Sequence, residues 1–252
     1  MKQLERHSQI IKHLGEHGFL STEELVNYFG VSSQTIRRDL NDLAAQHRIQ
    51  RHHGGASLQT STENDPYPNR KMAYLQAKNR IAQAIAEQIP HGASLFIDIG
   101  TTAEAVAQAL LEHKGLRIVT NNINVASTLL KNEDCMVILA GGEVRHRDGG
   151  IIGEATRDFI QQFRMDYGIL GISGIDEDGS LLDFDYHEVR VKQTIIANAR
   201  HTFLAADASK FGRNAMVNMG NITQIGALYT DAEPPKKISE LLKASHIECH
   251  LC

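Results

Sequence analysis

The chain has 252 residues, of which 42% are apolar and 22% are charged, a composition that excludes disordered and fibrous proteins. No stretch approaches the roughly 20 apolar residues needed to span a bilayer, so we expect no membrane partner. The charged N-terminus does not resemble a signal peptide and the three cysteines are odd in number, which together predict a cytoplasmic protein. The net charge of −4 does not by itself indicate a nucleic-acid partner.

Three short amphipathic helices are predicted at the start of the chain. Apolar residues recur at helical spacing over 4–17, and Ser21 begins a capping-box pattern for a second helix that ends near Phe29. After a short turn, Ser32 can cap a third helix that continues to about Ala45. Three helices with a tight turn between the second and the third predict a helix-turn-helix.

The third helix presents polar side chains on the face opposite its apolar one. Arg forms paired hydrogen bonds with guanine, Gln and Asn do so with adenine, and Ser contacts phosphate. A short basic strand follows and leads into a glycine turn, which is typical of a wing. The alternative is a helical hairpin that contacts no DNA, in which Arg37 and Arg38 pair with Asp39 and Asp42. The residues predicted to contact operator DNA are Ser32, Ser33, Gln34, Thr35, Arg37, Arg38, Asn41, Arg51, His52 and His53.

A polar, proline-containing segment over 58–69 predicts a linker between a DNA-binding domain at 1–57 and a larger domain at 70–252. A long helical pattern begins at Arg70 and ends before Pro90. Short apolar strands then alternate with helices, which predicts an α/β fold with a mostly parallel sheet covered on both faces. The apolar runs are 94–99, 116–120, 135–140, 167–172, 202–206 and 225–230. The helical patterns between and after them are 102–112, 123–131, 154–163, 185–199 and 235–244.

Loops after the predicted strands carry the residues expected of a small-molecule site, because ligands bind at the carboxyl ends of strands in open α/β sheets. After the first strand, Asp98–Thr102 leads directly into a helix, whose N-terminus favours an anion. The spacing is not that of a Walker loop. Turn chemistry is the alternative for any single Asn or Asp in these loops. The residues predicted to bind a polyol phosphate are Asp98, Gly100, Thr101, Thr102, Asn121, Asn122, Gly142, Ser173, Gly174, Asp176 and Lys210.

Two spaced motifs in the predicted DNA-binding domain resemble the signature of the DeoR family of bacterial repressors. Arg6-x3-Ile10-x3-Leu14 is followed, after 17 residues, by Ser32-x2-Thr35-Ile36-Arg37-Arg38-Asp39-Leu40, and the wing reads Arg51-His52-His53-Gly54-Gly55-Ala56. The resemblance implies a winged helix-turn-helix that binds operator DNA and a sensor domain similar to ribose-5-phosphate isomerase. It also implies a homo-oligomer, specifically a tetramer. The loops are most similar to those of family members that respond to glycerol 3-phosphate, which implies that ester as the effector.

The rival interpretation is a sugar-phosphate isomerase-like enzyme. The acidic cluster Asp176–Asp178 could move protons. However, the Lys-Gly-Gly-Gly stretch expected after such a cluster is missing, and Leu181–Asp185 stands in its place. We therefore expect a regulator with no catalytic residue, cofactor or metal. An activator, and a repressor that answers to another sugar phosphate, stay open as alternatives.

Overall fold

The computed structural model describes residues 3–45, 48–52, 54–58 and 62–252. The chain divides into an N-terminal unit that ends at residue 61 and a C-terminal unit that begins at residue 62. Each unit buries its own apolar side chains. Within the described residues, no helix combines the length and the apolar character needed to cross a membrane.

The N-terminal unit is a three-helix bundle with a small antiparallel sheet. Its elements are α1 (Gln3–His17), β1 (Phe19–Ser21), α2 (Thr22–Phe29), α3 (Ser33–Ala45), β2 (Ile49–His52) and β3 (Gly55–Leu58). The strands lie in the order β1-β3-β2. Ser21 and Glu24 form the predicted capping box at α2, and the Ser32 hydroxyl accepts a hydrogen bond of 3.2 Å from the Thr35 amide at the start of α3. Ile36, Leu40 and Leu43 are fully buried, as their spacing predicted, and β1 is a strand that the sequence did not indicate.

The C-terminal unit is built on a seven-stranded parallel sheet. The strands of this sheet are β4 (Ser94–Ile97), β5 (Arg117–Thr120), β6 (Met136–Leu139), β9 (Met165–Gly171), β12 (Ala199–Ala205), β14 (Ala227–Thr230) and β15 (Glu248–Leu251). Its helices are α4 (Tyr67–Met72), α5 (Leu75–Gln88), α6 (Thr101–Ala109), α7 (Ile123–Leu129), α8 (Glu154–Ile160), α9 (Tyr186–Asn198) and α10 (Lys236–Ala244). The shorter strands are β7 (Glu143–Arg145), β8 (Gly150–Ile152), β10 (Gly174–Ile175), β11 (Ser180–Asp183) and β13 (Val217–Asn221).

The order of the parallel strands reverses between β4 and β9. The full order is β15-β14-β12-β9-β4-β5-β6, so the chain adds β5 and β6 on one side of β4 and the later strands of this sheet on the other. One apolar cluster packs α5, α6 and α7 on the sheet, and a second packs α8, α9 and α10. The loops after β4 and β9 therefore diverge, which leaves the crevice where open α/β sheets bind ligands.

Two features before β4 differ from the expectations. The single helix expected from Arg70 to Pro90 is divided into α4 and α5, because Tyr74 adopts a left-handed conformation with φ of 54°. Residues 62–69, expected to form part of a linker, belong to the C-terminal unit, where Asn64 and Asp65 bond to residues of that unit. Residues 59–61 lie outside the described residues.

Candidate functional site

The exposed face of α3 carries the side chains predicted to contact DNA. Ser33, Gln34, Arg37, Arg38 and Asn41 are exposed. Ser32 is also exposed, but its hydroxyl lies 2.9 Å from that of the half-buried Thr35.

The pairing of Arg37 and Arg38 with Asp39 and Asp42, considered as an alternative, is not made. Asp39 is buried and binds Arg6 and His7 of α1. Asp42 accepts a hydrogen bond of 2.9 Å from Gln3. Within the described part of the chain, neither arginine forms an ion pair. The two charges therefore remain available on the surface of α3.

The wing places one further arginine near this face. Arg51 on β2 is half-buried, and its Nη1 atom has no hydrogen-bond partner among the described residues. Burial lowers the pKa of Arg51, and the nearby positive charge of Arg37 acts in the same direction. An anion bound between Arg51 and Arg37 would stabilise the charged form of both side chains. His52 is instead tied to the Ser57 hydroxyl at 2.7 Å, and His53 lies outside the described residues.

A cleft in the C-terminal unit lies at the reversal of strand order. Its volume is about 40 Å³. Its floor comes from the loops after β4 and β9, and charged side chains from α4 and from elements later in the chain form its walls. The residues that line it are Asn64, Arg70, Ile99, Gly100, Thr101, Thr102, Arg145, Gly171, Ile172, Ser173, Glu188, Lys192, Lys210 and Arg213. Five of the residues predicted from the sequence are thus brought together: Gly100, Thr101, Thr102, Ser173 and Lys210.

The N-terminus of α6 opens onto this cleft. Gly100 precedes the helix with φ of 137°, a conformation that L side chains rarely adopt. No side chain caps the first turn, so the amides of Thr101 and Thr102 are not satisfied by a cap. Free amides and the positive end of the helix dipole both favour an anion at this point.

Two of the cationic side chains in the cleft are already neutralised. Lys192 lies 2.8 Å from Asp183, 3.0 Å from Glu188 and 3.3 Å from Asp98. Arg145 contacts Glu188 at 2.7 Å and forms further ion pairs that hold its guanidinium in place. These networks give the floor of the cleft its shape, and they leave little charge for a ligand.

Lys210 differs from these two cations. In the described ranges its ammonium group has no hydrogen bond or ion pair to a side chain. Burial lowers the pKa of Lys210, and the charges of Arg213 and Arg70 add to this effect, which Asp207 partly offsets. A cation placed among other cations, beside a helix N-terminus, is suited to a phosphate group.

Three predicted residues lie behind the cleft instead of lining it. Asp98 is fully buried, and neither of its carboxylate oxygens accepts a well-formed hydrogen bond. Burial raises its pKa to about 7, although the charge of Lys192 opposes the rise. Asn121 donates to the Ile151 carbonyl at 3.1 Å. Asn122 caps α7 by accepting from Asn124, which is the local role considered as the alternative.

The remaining predicted residues have packing or turn positions outside the cleft. A Cβ on Gly142 would lie 2.3 Å from the Thr156 hydroxyl, and one on Gly174 would lie 1.9 Å from the Arg213 carbonyl. Both glycines therefore permit close backbone approaches. Asp176 is exposed in the turn after β10, where its carboxylate accepts from the Glu177 amide.

Several cleft residues were missed in the prediction. Glu188 and Lys192 are four residues apart on α9, so they share one face of that helix, a signal that the sequence offered. Arg70, Arg145 and Arg213 gave no such local signal, because their approach depends on the long-range folding of the chain.

Family models match both units. A DeoR-like helix-turn-helix domain matches residues 6–62, and a DeoR C-terminal sensor domain matches residues 74–232. The chain belongs to the DeoR family. It is a transcription regulator of that family and not an enzyme.

Curated relatives match all or nearly all of this DeoR-family protein. It is 63% identical to the glycerol-3-phosphate regulon repressor of Escherichia coli (strain K12) over 252 residues, which is 100% of both chains. It is 56% identical to the repressor of the same name from Haemophilus influenzae, with 100% of this chain and 98% of the relative covered. It is 42% identical to the HTH-type transcriptional repressor CsqR of Escherichia coli (strain K12), with 96% and 93% covered.

Among solved structures, the DeoR-family chain matches a D-ribose-5-phosphate isomerase in complex with phospho-erythronic acid. The TM-score is 0.42 at 13% identity, and the match covers 56% of this chain and 55% of that chain.

Proposed function

We propose that this protein represses genes for the use of glycerol and glycerol 3-phosphate, and that glycerol 3-phosphate releases it from its operator. The proposal of a phosphate effector rests on Lys210. Its charge is not balanced by an ion pair among the described residues, and it lines a cleft together with the N-terminus of α6. The names of the relatives that match the full chain, at 63% and 56% identity, support the choice of ester.

The proposal that the protein binds operator DNA rests on the exposed surface of α3. Arg37 and Arg38 are exposed there without acidic partners in the described part of the chain, and Gln34 and Asn41 provide amide groups on the same helix. Arginine and amide side chains read guanine and adenine in the major groove. The half-buried Arg51 of the wing adds a positive charge that suits a DNA phosphate.

Release follows from linkage between the two sites. If the effector lowers the affinity for DNA by a certain factor, DNA lowers the affinity for the effector by the same factor. A coupling free energy of about 1–3 kcal/mol gives a change of roughly 5- to 150-fold. Such a change is sufficient for a regulatory response.

The test is a titration of glycerol 3-phosphate into the full-length protein bound to a fluorescent fragment of its own upstream region. We expect the anisotropy to fall at sub-millimolar ester, while free glycerol has no effect. DNA binding without release would overturn the proposed effector, and a panel of sugar phosphates would then identify the ester. An absence of DNA binding would overturn the proposed repressor activity.

We also propose that the protein is a homo-oligomer, specifically a tetramer. The edge strand β6 supports self-association, because Met136 and Leu139 are 56% and 42% exposed on it, and unpaired sheet edges with apolar side chains invite pairing. Leu130, just after α7, is also exposed. Sedimentation velocity at micromolar protein should show a tetramer, and a monomer at that concentration would overturn the proposal.

A further inference from the structure

Two residues that precede α4 bond to cations of the cleft, and the first of them, Asn64, also lines it. The Asp65 carboxylate lies 2.9 Å from Nη2 of Arg213. The Asn64 side-chain oxygen accepts a hydrogen bond of 3.0 Å from the same nitrogen, and its amide donates to the Ser173 hydroxyl at 3.4 Å. We call Asn64 and Asp65 the strap.

The strap is also held by its backbone. The Asp65 carbonyl accepts a hydrogen bond of 3.0 Å from Nε of Arg70. The Asp65 amide donates to the Asn64 side chain at 2.9 Å, so the two residues form a compact turn. Both cationic partners of the strap line the cleft.

Arg213 is positioned independently of the strap. It is buried, its Nη1 donates to the Ser173 carbonyl at 3.2 Å, and its guanidinium lies 5.1 Å from the centre of the Phe184 ring. In the structure as described, its ion pair is with Asp65 alone. Arg213 is therefore a fixed cation whose anionic partner comes from a partly exposed turn.

The strap is held by fewer contacts than the other charged groups of the cleft. Asn64 and Asp65 are only partly buried, and their side chains bond to Arg213 and Ser173. Lys192 and Arg145, by contrast, are each paired with three carboxylates. A phosphate ester that binds Arg213 therefore competes with the strap for the same guanidinium.

We infer that the strap is an internal ligand of the effector site, and that it occupies the subsite of Arg213 and Ser173 beside Lys210 until a phosphate ester displaces it. The inference rests on the proposed function. A phosphate monoester carries about −1.5 to −2 charges and three acceptor oxygens at neutral pH, whereas Asp65 offers one charge and two oxygens. The three oxygens of the ester allow direct contacts with both Arg213 and Lys210, whereas Asp65 forms an ion pair with Arg213 and acts on Lys210 through its charge at longer range.

Competition of this kind has a measurable consequence. The apparent dissociation constant of the ester equals its intrinsic value divided by the fraction of molecules with an open subsite. Weakening the strap raises that fraction. Variants that lose strap contacts should therefore bind the ester more tightly, although they remove side chains from the site itself.

The test is calorimetric titration of glycerol 3-phosphate into the full-length protein and three variants. Asp65→Asn removes the charge of the ion pair and keeps the side-chain size. Asn64→Ala removes the bonds to Arg213 and Ser173 without any change of charge, which separates competition from a general electrostatic effect. Glu112→Gln is the control for charge, because Glu112 is exposed in the turn that follows α6.

We expect Asp65→Asn and Asn64→Ala to bind the ester about 3- to 10-fold more tightly than the wild type, and Glu112→Gln to match the wild type. If the wild type binds and either strap variant binds no more tightly, the strap is not a competitor, while the proposed effector stands. If only the strap variants bind the ester, the strap is a competitor. The wild type would then not be released from DNA by this ester. Binding by none of the proteins would overturn both proposals.

Discussion

Arg6 binds the buried carboxylate of Asp39 through two hydrogen bonds, of 2.5 Å from Nε and 3.1 Å from Nη2. His7 adds a third contact of 3.1 Å from Nε2. Burial alone would raise the pKa of Asp39, but these partners reverse the effect and hold it below its usual value. The negative charge of Asp39 is thus compensated by residues of α1. The arginines that precede Asp39 in the sequence are therefore not needed to neutralise it.

Arg37 should therefore be important for operator binding. We expect Arg37→Ala to weaken binding by about 1–3 kcal/mol and to relax the base preference at one operator position. Competition binding with single-base operator variants measures both effects. Arg117→Ala is the matched control, because Arg117 is exposed on β5 in the other unit. Wild-type affinity in Arg37→Ala would show that this side chain does not read a base.

Lys210 allows a separate test of the effector site. We expect Lys210→Ala to bind operator normally and to need roughly 10- to 100-fold more glycerol 3-phosphate for release, since a charge-assisted hydrogen bond contributes about 1.5–3 kcal/mol. Lys210→Arg should recover part of the response. The exposed Lys243 of α10 provides the control substitution Lys243→Ala. An unchanged release curve in Lys210→Ala would exclude this side chain from the site.

The sequence predicted the sheet but not the whole cleft. Runs such as 94–99 and 167–172 are short and apolar throughout, because parallel strands are buried on both faces, and the structure places β4 and β9 there. The helix start after Asp98 was likewise recognisable, since a glycine and two threonines lead directly into α6. These features depend on neighbouring residues, which a single sequence displays.

Contacts between distant residues could not be predicted in the same way. Arg213 meets Asp65 across 148 positions of the chain, and no local pattern joins them. The polar composition of 58–69 predicted a linker, and it gave no sign that Asn64 and Asp65 bond to residues of the cleft. At Asn122 a local pattern was misinterpreted instead. The residue was predicted to bind the effector, but its side chain caps α7.

Asp98 should make the stability of the C-terminal unit depend on pH. Its pKa is raised by burial to about 7, whereas an unfolded chain has a value of about 3.9. Between these values the native state holds a proton that the unfolded state has released, so the free energy of unfolding falls as the pH rises. Glu188, with a pKa lowered to about 2, acts in the opposite sense only at more acidic pH.

We expect Asp98→Asn to flatten this dependence between about pH 5 and pH 8. Urea unfolding followed by circular dichroism at several pH values gives the slope for each protein. The wild type and Glu112→Gln should lose stability across the range, and Asp98→Asn should lose less. If the free energy of unfolding has the same slope against pH in all three proteins, Asp98 is already ionised at the acidic end of this pH range.

The strap should also affect DNA binding, because Asp65 follows the last strand of the N-terminal unit by only a few residues. If the effector displaces the strap when it releases DNA, a weakened strap favours the released state before any effector is added. Asp65→Asn should then need about 3- to 10-fold less ester for release from operator than the wild type, the same factor by which its apparent affinity for the ester rises. Anisotropy titrations of the ester into the operator complex measure this directly, with Glu112→Gln as the control. Tighter ester binding combined with a wild-type release curve would show that the strap competes for the cleft without transmitting the signal to the DNA-binding unit.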